Sequence, residues 1–336
     1  MFNPTATLPP NATKRNIAMV ATTLAALSLL LACGSLQAAR TPRQRLNPPV
    51  KLRLAYGKKV QYASQIVALK QGYFAEEGLE VEPIAVQAGI QGAEALASGS
   101  ADVAAMGDAP AIITVASAMP AKIIAEYCDG YHQHRIVAAP RSGIRSAKDL
   151  VGKRVGVQAG SSTQGGFLRY LADNGIAIKQ VKIVPLDPSD MPEAMLSGQI
   201  DVGVGSEPWP SNIEERVKGS YEVAVLPGYY PLVMLASERF AREHPEAVVA
   251  LLRAVQRASD FMTANPDQAA RIVAETTGVP AAKEKKIMRT FGWKVKLDSV
   301  TVTSLNRVAE FLYSQQKITR MPAWDKVLDR SFVGQM

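Results

Sequence analysis

Cysteine and histidine are scarce: the 336 residues hold two cysteines, Cys33 and Cys128, and three histidines, His132, His134 and His244. Two cysteines exclude a disulfide framework and a cysteine-rich zinc site. His132 and His134 share one face of a strand, but no third ligand accompanies them, so the pair is expected at a partly exposed strand end and no metal is expected. Aromatic residues make up 6% of the chain, and no basic run is interleaved with them. The net charge of +8 is scattered, so nucleic acid is not an expected partner, although a modest positive charge suits a soluble protein that attracts anions. Nucleotide fingerprints are missing too. Gly160–Gly166 lacks the Lys-Ser or Lys-Thr of a phosphate-cradling loop, and Gly203-Val204-Gly205 lacks the third glycine of a dinucleotide site, so no cofactor is expected.

A membrane-spanning run is also lacking. Ile17–Ala32 (IAMVATTLAALSLLLA) is apolar for sixteen residues, short for a stable span, and follows Lys14 and Arg15; it reads as an export signal covering 1–32. Leu30-Leu31-Ala32-Cys33-Gly34 resembles a bacterial lipobox, which makes Cys33 the expected lipidation site and the membrane a partner through a lipid anchor. Cleavage after Ala38 or Ala39, with Cys33 incidental, is the alternative. Residues 33–50, proline-rich and basic toward their end, are expected to form a tether.

What remains is rich in αβ alternation. Hydrophobic residues are 47% and charged residues 20% of the chain, enough for about two domains with real cores. Leu52–Tyr56 alternates like a strand, Ser64–Phe74 has helical spacing, Gly78 stops it, Leu79–Ile84 is a second strand, Gln91–Ala97 a short helix and Ala101–Met106 a buried strand. The order returns with Lys153–Val157, Phe167–Asn174, Gly175, Val181–Val184, Pro192–Leu196 and Asp201–Val204. Glu94-Ala95-x-x-Ser98-Gly99-x-x-Asp102-Val103 matches Glu193-Ala194-x-x-Ser197-Gly198-x-x-Asp201-Val202 at a constant offset of 99 residues. An α/β architecture of two similar lobes follows, each with a mostly parallel sheet: 51–136 with 229–336 as the larger, discontinuous lobe, and 137–228 as the other. Helices after Pro245, after Asn265-Pro266 and over Ser304–Gln315 have no counterpart in the second lobe and are assigned to the first.

Ligands collect outside the carboxyl ends of strands in such sheets. Gly107 and Asp108 follow one matching strand; Glu207 and Trp209 follow the other. Ser161, Ser162 and Thr163 sit between a strand and a helix, where hydroxyls and helix N–H groups make an anion seat, or only an N-cap. Gln61 and Tyr62 stand near a helix start, and of Tyr229 and Tyr230 at the return crossing one faces the cleft. Lys58 and Lys59 read as solvated rim charges.

Gln71-Gly72-Tyr73-Phe74-Ala75-Glu76-Glu77-Gly78-Leu79-Glu80-Val81, Ser146–Val157, Glu207-Pro208-Trp209 and His244-Pro245-Glu246 together resemble the nitrate/sulfonate/bicarbonate-type solute-binding proteins of ABC importers, over about 51–332. The resemblance implies a type II periplasmic-binding-protein fold, a ligand cleft between the lobes, and delivery of a small solute by a monomeric, exported protein to a membrane permease and its ATPase. It favours a sulfonate-type or related small anion bound by Gln61, Tyr62, Gly107, Asp108, Ser161, Ser162, Thr163, Glu207, Trp209 and Tyr230, without catalysis. Asp108 and Glu207 oppose a simple anion and leave room for an ammonium-bearing or aminopyrimidine ligand. An enzyme on the same fold, a desulfinase using Cys128, is a competing reading; a sensor lipoprotein with no transported ligand is another.

Overall fold

The computed structural model describes residues 45–131 and 133–336. The expected signal peptide, the Cys33 lipidation site, the cleavage alternative at Ala38 and Ala39, the tether up to residue 44 and His132 lie outside them.

Eleven strands form two sheets among the described residues. The first runs β11 (Gly292–Lys296), β4 (Ala121–Asp129), β10 (Pro231–Ser237), β3 (Val103–Gly107), β1 (Val50–Gly57), β2 (Leu79–Val86); the second runs β7 (Lys182–Pro185), β6 (Arg154–Val157), β8 (Val202–Ser206), β5 (His134–Ala138), β9 (Tyr221–Val225). The topologies correspond. Strands β1, β2 and β3 pair in parallel, as do β6, β7 and β8, and one antiparallel strand follows in each, β10 or β5. That odd strand is the one arriving from the other sheet. The crossings are 130–133 and 226–230. The lobe boundary expected after residue 136 therefore falls inside β5, whose His134, Arg135 and Ile136 pair with β8.

Both faces of the first sheet are covered, and its central strands β3 and β10 are apolar on both sides. Val103 and Ala105 face one core cluster while Ala104 and Met106 face another; Met234 and Leu235 divide the same way. The helices used below are α1 (Ala63–Lys70), α2 (Gly89–Ala97), α3 (Asp108–Ala116), α4 (Ser162–Asp173), α5 (Met191–Leu196), α6 (Trp209–Arg216), α7 (Pro245–Ala264), α8 (Pro266–Thr277), α9 (Ala281–Met288) and α10 (Ser299–Ser314). Pro245 at the first position of α7 suits its fixed φ, and the buried stripe Val248, Leu251, Leu252, Val255 joins the core of the first sheet. The expected helix 64–74 is two helical pieces, because Gly72 takes φ +74° between them. In the second sheet Gly203 leaves room for Ile213, whose Cδ1 would lie 2.6 Å from an added Cβ.

The sequence repeat has a local cause. Gly99 and Gly198 both terminate helices at positive φ, +72° and +71°, a conformation glycine adopts without Cβ strain. Asp102 accepts the backbone N–H of Arg53 at 3.0 Å and two guanidinium bonds at 3.0 and 2.7 Å. Asp201 does the same for Arg154 at 2.8, 3.1 and 2.6 Å. Each carboxylate fastens the third strand of its lobe to the first.

Asp102→Ala should therefore cost about 2 kcal/mol of unfolding free energy, the range for hydrogen bonds to charged groups. Asp201→Ala, whose pair is more exposed, should cost about half that. Urea unfolding of the two variants checks the ordering; equal losses would contradict it.

Candidate functional site

A cavity of about 100 Å³ lies between the two sheets, lined from both. A buried water needs roughly 10–15 Å³, so this space suits a ligand of several non-hydrogen atoms.

Four helix starts meet there. A 3-10 turn, Val60–Tyr62, runs into α1 and begins at Lys59; α2 begins at Ala88, α3 at Gly107 and α4 at Ser161. Each start follows the carboxyl end of a strand, which is why all four face one point. First-turn N–H groups lack helical acceptors and concentrate partial positive charge. Lys59, Ala88 and Gly107 supply no side-chain cap. Ser161 does, accepting the Gln164 N–H at 3.1 Å and donating to the Gln158 carbonyl at 2.8 Å. The first turns of α1, α2 and α4 contain no acid.

Lys59 is half-buried on the cavity wall, not a solvated rim charge; its Nζ donates to the Gln87 carbonyl at 2.8 Å. Desolvation pulls its pKa down, against the attraction of Asp187. Lys58 is exposed.

Asp108 is the acid of the cavity. Its Oδ1 accepts the Ala109 N–H at 2.6 Å, while its buried Oδ2 has no partner. Burial raises its pKa; bonding to Ser162 and Ala109 and the charge of Arg169 oppose this. Ser162 crosses the cleft to Ala109, its Oγ 3.4 Å from that N–H. A Cβ on Gly107 would collide with the same oxygen.

His134, expected at an exposed strand end, is buried on the cavity wall. Its Nδ1 is 2.8 Å from Thr163 Oγ1, its ring packs against Tyr230 at 4.4 Å, and its Nε2 is unpartnered. Burial pushes its pKa down to about 3. The neutral tautomer in which Thr163 donates to Nδ1 leaves the proton on Nε2, which has no protein partner.

Gln61, Tyr62, Gly107, Asp108, Ser161, Ser162, Thr163 and Tyr230 all line the cavity. Glu207 and Trp209 do not. The Glu207 carboxylate turns to Arg135 at 2.8 Å, in a cluster where Arg135 also bonds Glu214 and Glu222. Only its backbone oxygen points back, accepting Gln61 Nε2 at 2.5 Å across the lobes. Trp209 opens α6 rather than lying in a loop. Lys59, Gln87, Gly89, Gln133 and His134 are among the wall residues beyond the expected set.

A family model described as NMT1/THI5 like matches residues 59–269. The chain belongs to the NMT1/THI5-like family. A Brucella abortus relative, named only as a binding protein, is 30% identical over 221 residues, 64% of this chain and 68% of that one. The taurine-binding periplasmic protein of Escherichia coli is 28% identical over 222 residues, covering 65% and 68%. Among solved structures, the alkanesulfonate-binding protein SsuA of Xanthomonas axonopodis pv. citri, bound to MOPS, superposes with a TM-score of 0.76 at 22% identity, covering 85% of this chain and 100% of that chain. The desulfurization enzyme DSZB shares the fold at a TM-score of 0.67 and 16% identity, covering 85% and 98%. The fold is thus the two-lobed periplasmic-binding-protein fold that the sequence led us to expect.

This member of the NMT1/THI5-like family places Cys128 away from the cavity. It is fully buried in β4, within the apolar core of the first sheet, and burial pushes its thiol pKa well up. A thiol so placed is a small hydrophobe rather than a nucleophile.

The depressed His134 pKa has a pH consequence. The unfolded state takes up a proton near 6.5 and the folded state near 3, so the stability contribution is present above about 6.5 and is lost as pH falls toward 3. The stability difference between wild type and His134→Gln should shrink by about 1.4 kcal/mol per pH unit below 6. Urea titrations at pH 7, 6 and 5 measure it; a pH-independent difference would refute the buried neutral imidazole.

Proposed function

We propose that the chain is the exported solute-binding component of an ABC importer and captures a small sulfonate-type anion between its lobes. The observation that carries this reading is the convergence of four helix starts, three without a side-chain cap, and Lys59 on one cavity. Such starts are ready-made anion sites. Kinship with the periplasmic taurine-binding protein supports both the substrate class and the periplasmic location. Pairing of Glu207 with Arg135 removes one of the two carboxylates that opposed an anion. The other, Asp108, has a free oxygen suited to an N–H donor, so a sulfonate bearing an ammonium satisfies both ends.

The ligand bridges the lobes. In the first, Lys59 and the starts of α2 and α3 hold it; in the second, Ser162, Thr163 and His134 do. Closure is supported by Gln61 bonding to the Glu207 carbonyl on one side of the cleft, and by Lys283 of α9 bonding to Asn212 and Glu215 of α6 at 2.9 and 2.8 Å. The closed form is the one the permease reads, and the ligand raises its population. No cysteine chemistry is involved.

A thermal-shift panel of taurine, short alkanesulfonates, nitrate, bicarbonate, aromatic carboxylates and aminopyrimidines tests the reading. A sulfonate at 100 times its Kd should stabilise by about 2.7 kcal/mol. Ser162→Ala and Lys59→Ala should each weaken binding about tenfold or more, and Cys128→Ser should leave it unchanged. A response confined to aminopyrimidines or carboxylates, or a sulfonate response indifferent to Ser162→Ala, would overturn it.

A further inference from the structure

The two lobes share a plan but not a charge. At the amino ends of the parallel strands, Arg53 of β1 and Arg154 of β6 occupy equivalent places, each held by the aspartate that precedes the third strand of its lobe. Opposite Arg53 in the register stands Glu82 of β2; opposite Arg154 stands Lys182 of β7. The first lobe thus sets Lys51 and Arg53 against Glu80, Glu82 and Asp102 around one surface groove. The second puts cation beside cation, an arrangement that repels and that the fold, as its twin shows, does not require.

The segments leading into β6, β7 and β8 meet at this end. The Gly152 N–H donates to the Gln180 carbonyl at 2.7 Å, the Lys182 N–H to Lys153 at 2.9 Å and the Asp201 N–H to Arg154 at 2.8 Å, and the Arg154 guanidinium bonds to the Gly198 carbonyl. These segments carry Arg145, Lys148, Lys153, Arg154, Lys179 and Lys182 against Asp149 and Asp201. Asp201 is taken up by Arg154, and Asp149 accepts the backbone N–H groups of Arg145 and Ser146 at 3.0 and 2.9 Å. Among the described residues the other five cations have no ion-pair partner. Apolar side chains stand among them. Of the seven large hydrophobic residues exposed in the described chain, Val151, Ile178 and Leu196 lie on these three segments, at 45%, 37% and 57% exposure.

We propose that this end of the second lobe is a membrane-contact surface that binds anionic phospholipid headgroups. Clustered lysines are drawn to the negative potential of such a bilayer, and aliphatic side chains among them enter its headgroup boundary. A free phosphate or a nucleic acid would meet the cations but leave Val151, Ile178 and Leu196 without a role. A protein partner fits less well, because protein interfaces are poor in lysine and rich in aromatic residues, whereas four of these six cations are lysines and none of the three apolar residues is aromatic. The contact leaves capture free. The cavity is lined from the carboxyl ends of β6 and β8, through Gln158 and Ser206, so the opposite ends of the same strands lie on lipid while the cleft stays open to solute. The gain, retention beside the bilayer that holds the permease, rests on the importer reading above; the contact itself does not.

Cosedimentation of residues 45–336 with phosphatidylcholine vesicles, with and without phosphatidylglycerol, tests this. That piece holds both sheets and the four core clusters, so it carries the fold, and it omits the apolar run Ile17–Ala32, which would enter a bilayer by itself. Binding should need phosphatidylglycerol and fall with added salt. Lys153→Gln, Lys179→Gln and Lys182→Gln together should weaken it about a hundredfold, roughly fivefold per lysine. The same change at Lys294, Lys317 and Lys326, exposed on the first lobe, should leave it nearly unchanged. Tryptophan emission of Ile178→Trp should shift to the blue on these vesicles. No binding to phosphatidylglycerol, equal losses in the two triple variants, or binding without the emission shift would each overturn the proposal, the last in favour of an acidic protein partner. No solute enters the experiment, so a failed sulfonate screen and a failed membrane contact are separate results.

Discussion

Backbone N–H groups at the start of a helix must find acceptors outside the helix, and this protein brings four helix starts to one cavity. Side-chain caps are few in the molecule: Ser237, Asp298 and, at the cavity, Ser161 cap their helices, whereas α5, α6, α7, α8 and α9 have none. The other three starts at the cavity are Lys59, Ala88 and Gly107, none of which caps. A buried N–H without a partner is costly, so such a cluster is stable only while open to solvent or occupied by an acceptor. Gly89, Gly107 and Gly160 line the wall for reasons of their own: a Cβ at 89 would meet Pro110 at 2.7 Å, one at 107 would collide with Ser162, and Gly160 takes φ +68°.

The two-fold plan of the sheets serves that convergence. Each lobe delivers helix starts at the carboxyl ends of its strands, and each receives its antiparallel strand from the other lobe. The chain therefore crosses twice, and the cavity lies between the two sheets that the crossings join. Close approach is built in on the cavity side as well: Ser162 occupies the space that a side chain at position 107 would fill. The repeated Glu-Ala-x-x-Ser-Gly-x-x-Asp-Val motif lies off the cavity wall. Its glycine ends a helix and its aspartate locks a strand, a need both lobes share.

The sequence made the lobes legible because their parallel strands and helix stops depend on local chemistry: alternation, glycine at positive φ, small residues in buried strands. It missed β9 and β11 and, in β5, expected only a strand end at His134; these strands pair at or toward the edges of the sheets or follow a crossing, where exposed or half-exposed positions such as Arg135, Glu222 and Lys294 blur the apolar pattern. Those omissions explain the errors at the site. Glu207 sits at a strand end as expected, but its partner Arg135 lies further along β5, so the carboxylate's true direction was invisible. His134 belongs to the same strand, whose pairing with β8 buries it. Lys58 and Lys59 are adjacent and chemically alike, and only the path of the 3-10 turn decides that the second faces inward. Gln61, Ser161, Ser162 and Thr163 were legible because a strand end followed by a helix start fixes their position without tertiary knowledge.

The charge balance of the cavity narrows what it holds. Burial pulls the Lys59 pKa down and pushes the Asp108 pKa up, each toward its neutral form, and His134 is held neutral by burial. The positive charge comes from the helix starts, each equivalent to about half a positive charge and spread over fixed N–H groups rather than a mobile ammonium. A field of that kind rewards a compact anion with several equivalent oxygens, because each oxygen meets a different N–H. It does little for a flat neutral ring, which offers few acceptors to N–H groups arriving from four directions. Under the proposed sulfonate reading Asp108 discriminates among anions: its unpartnered oxygen is satisfied by a ligand that also carries a donor and is set against one that presents only lone pairs.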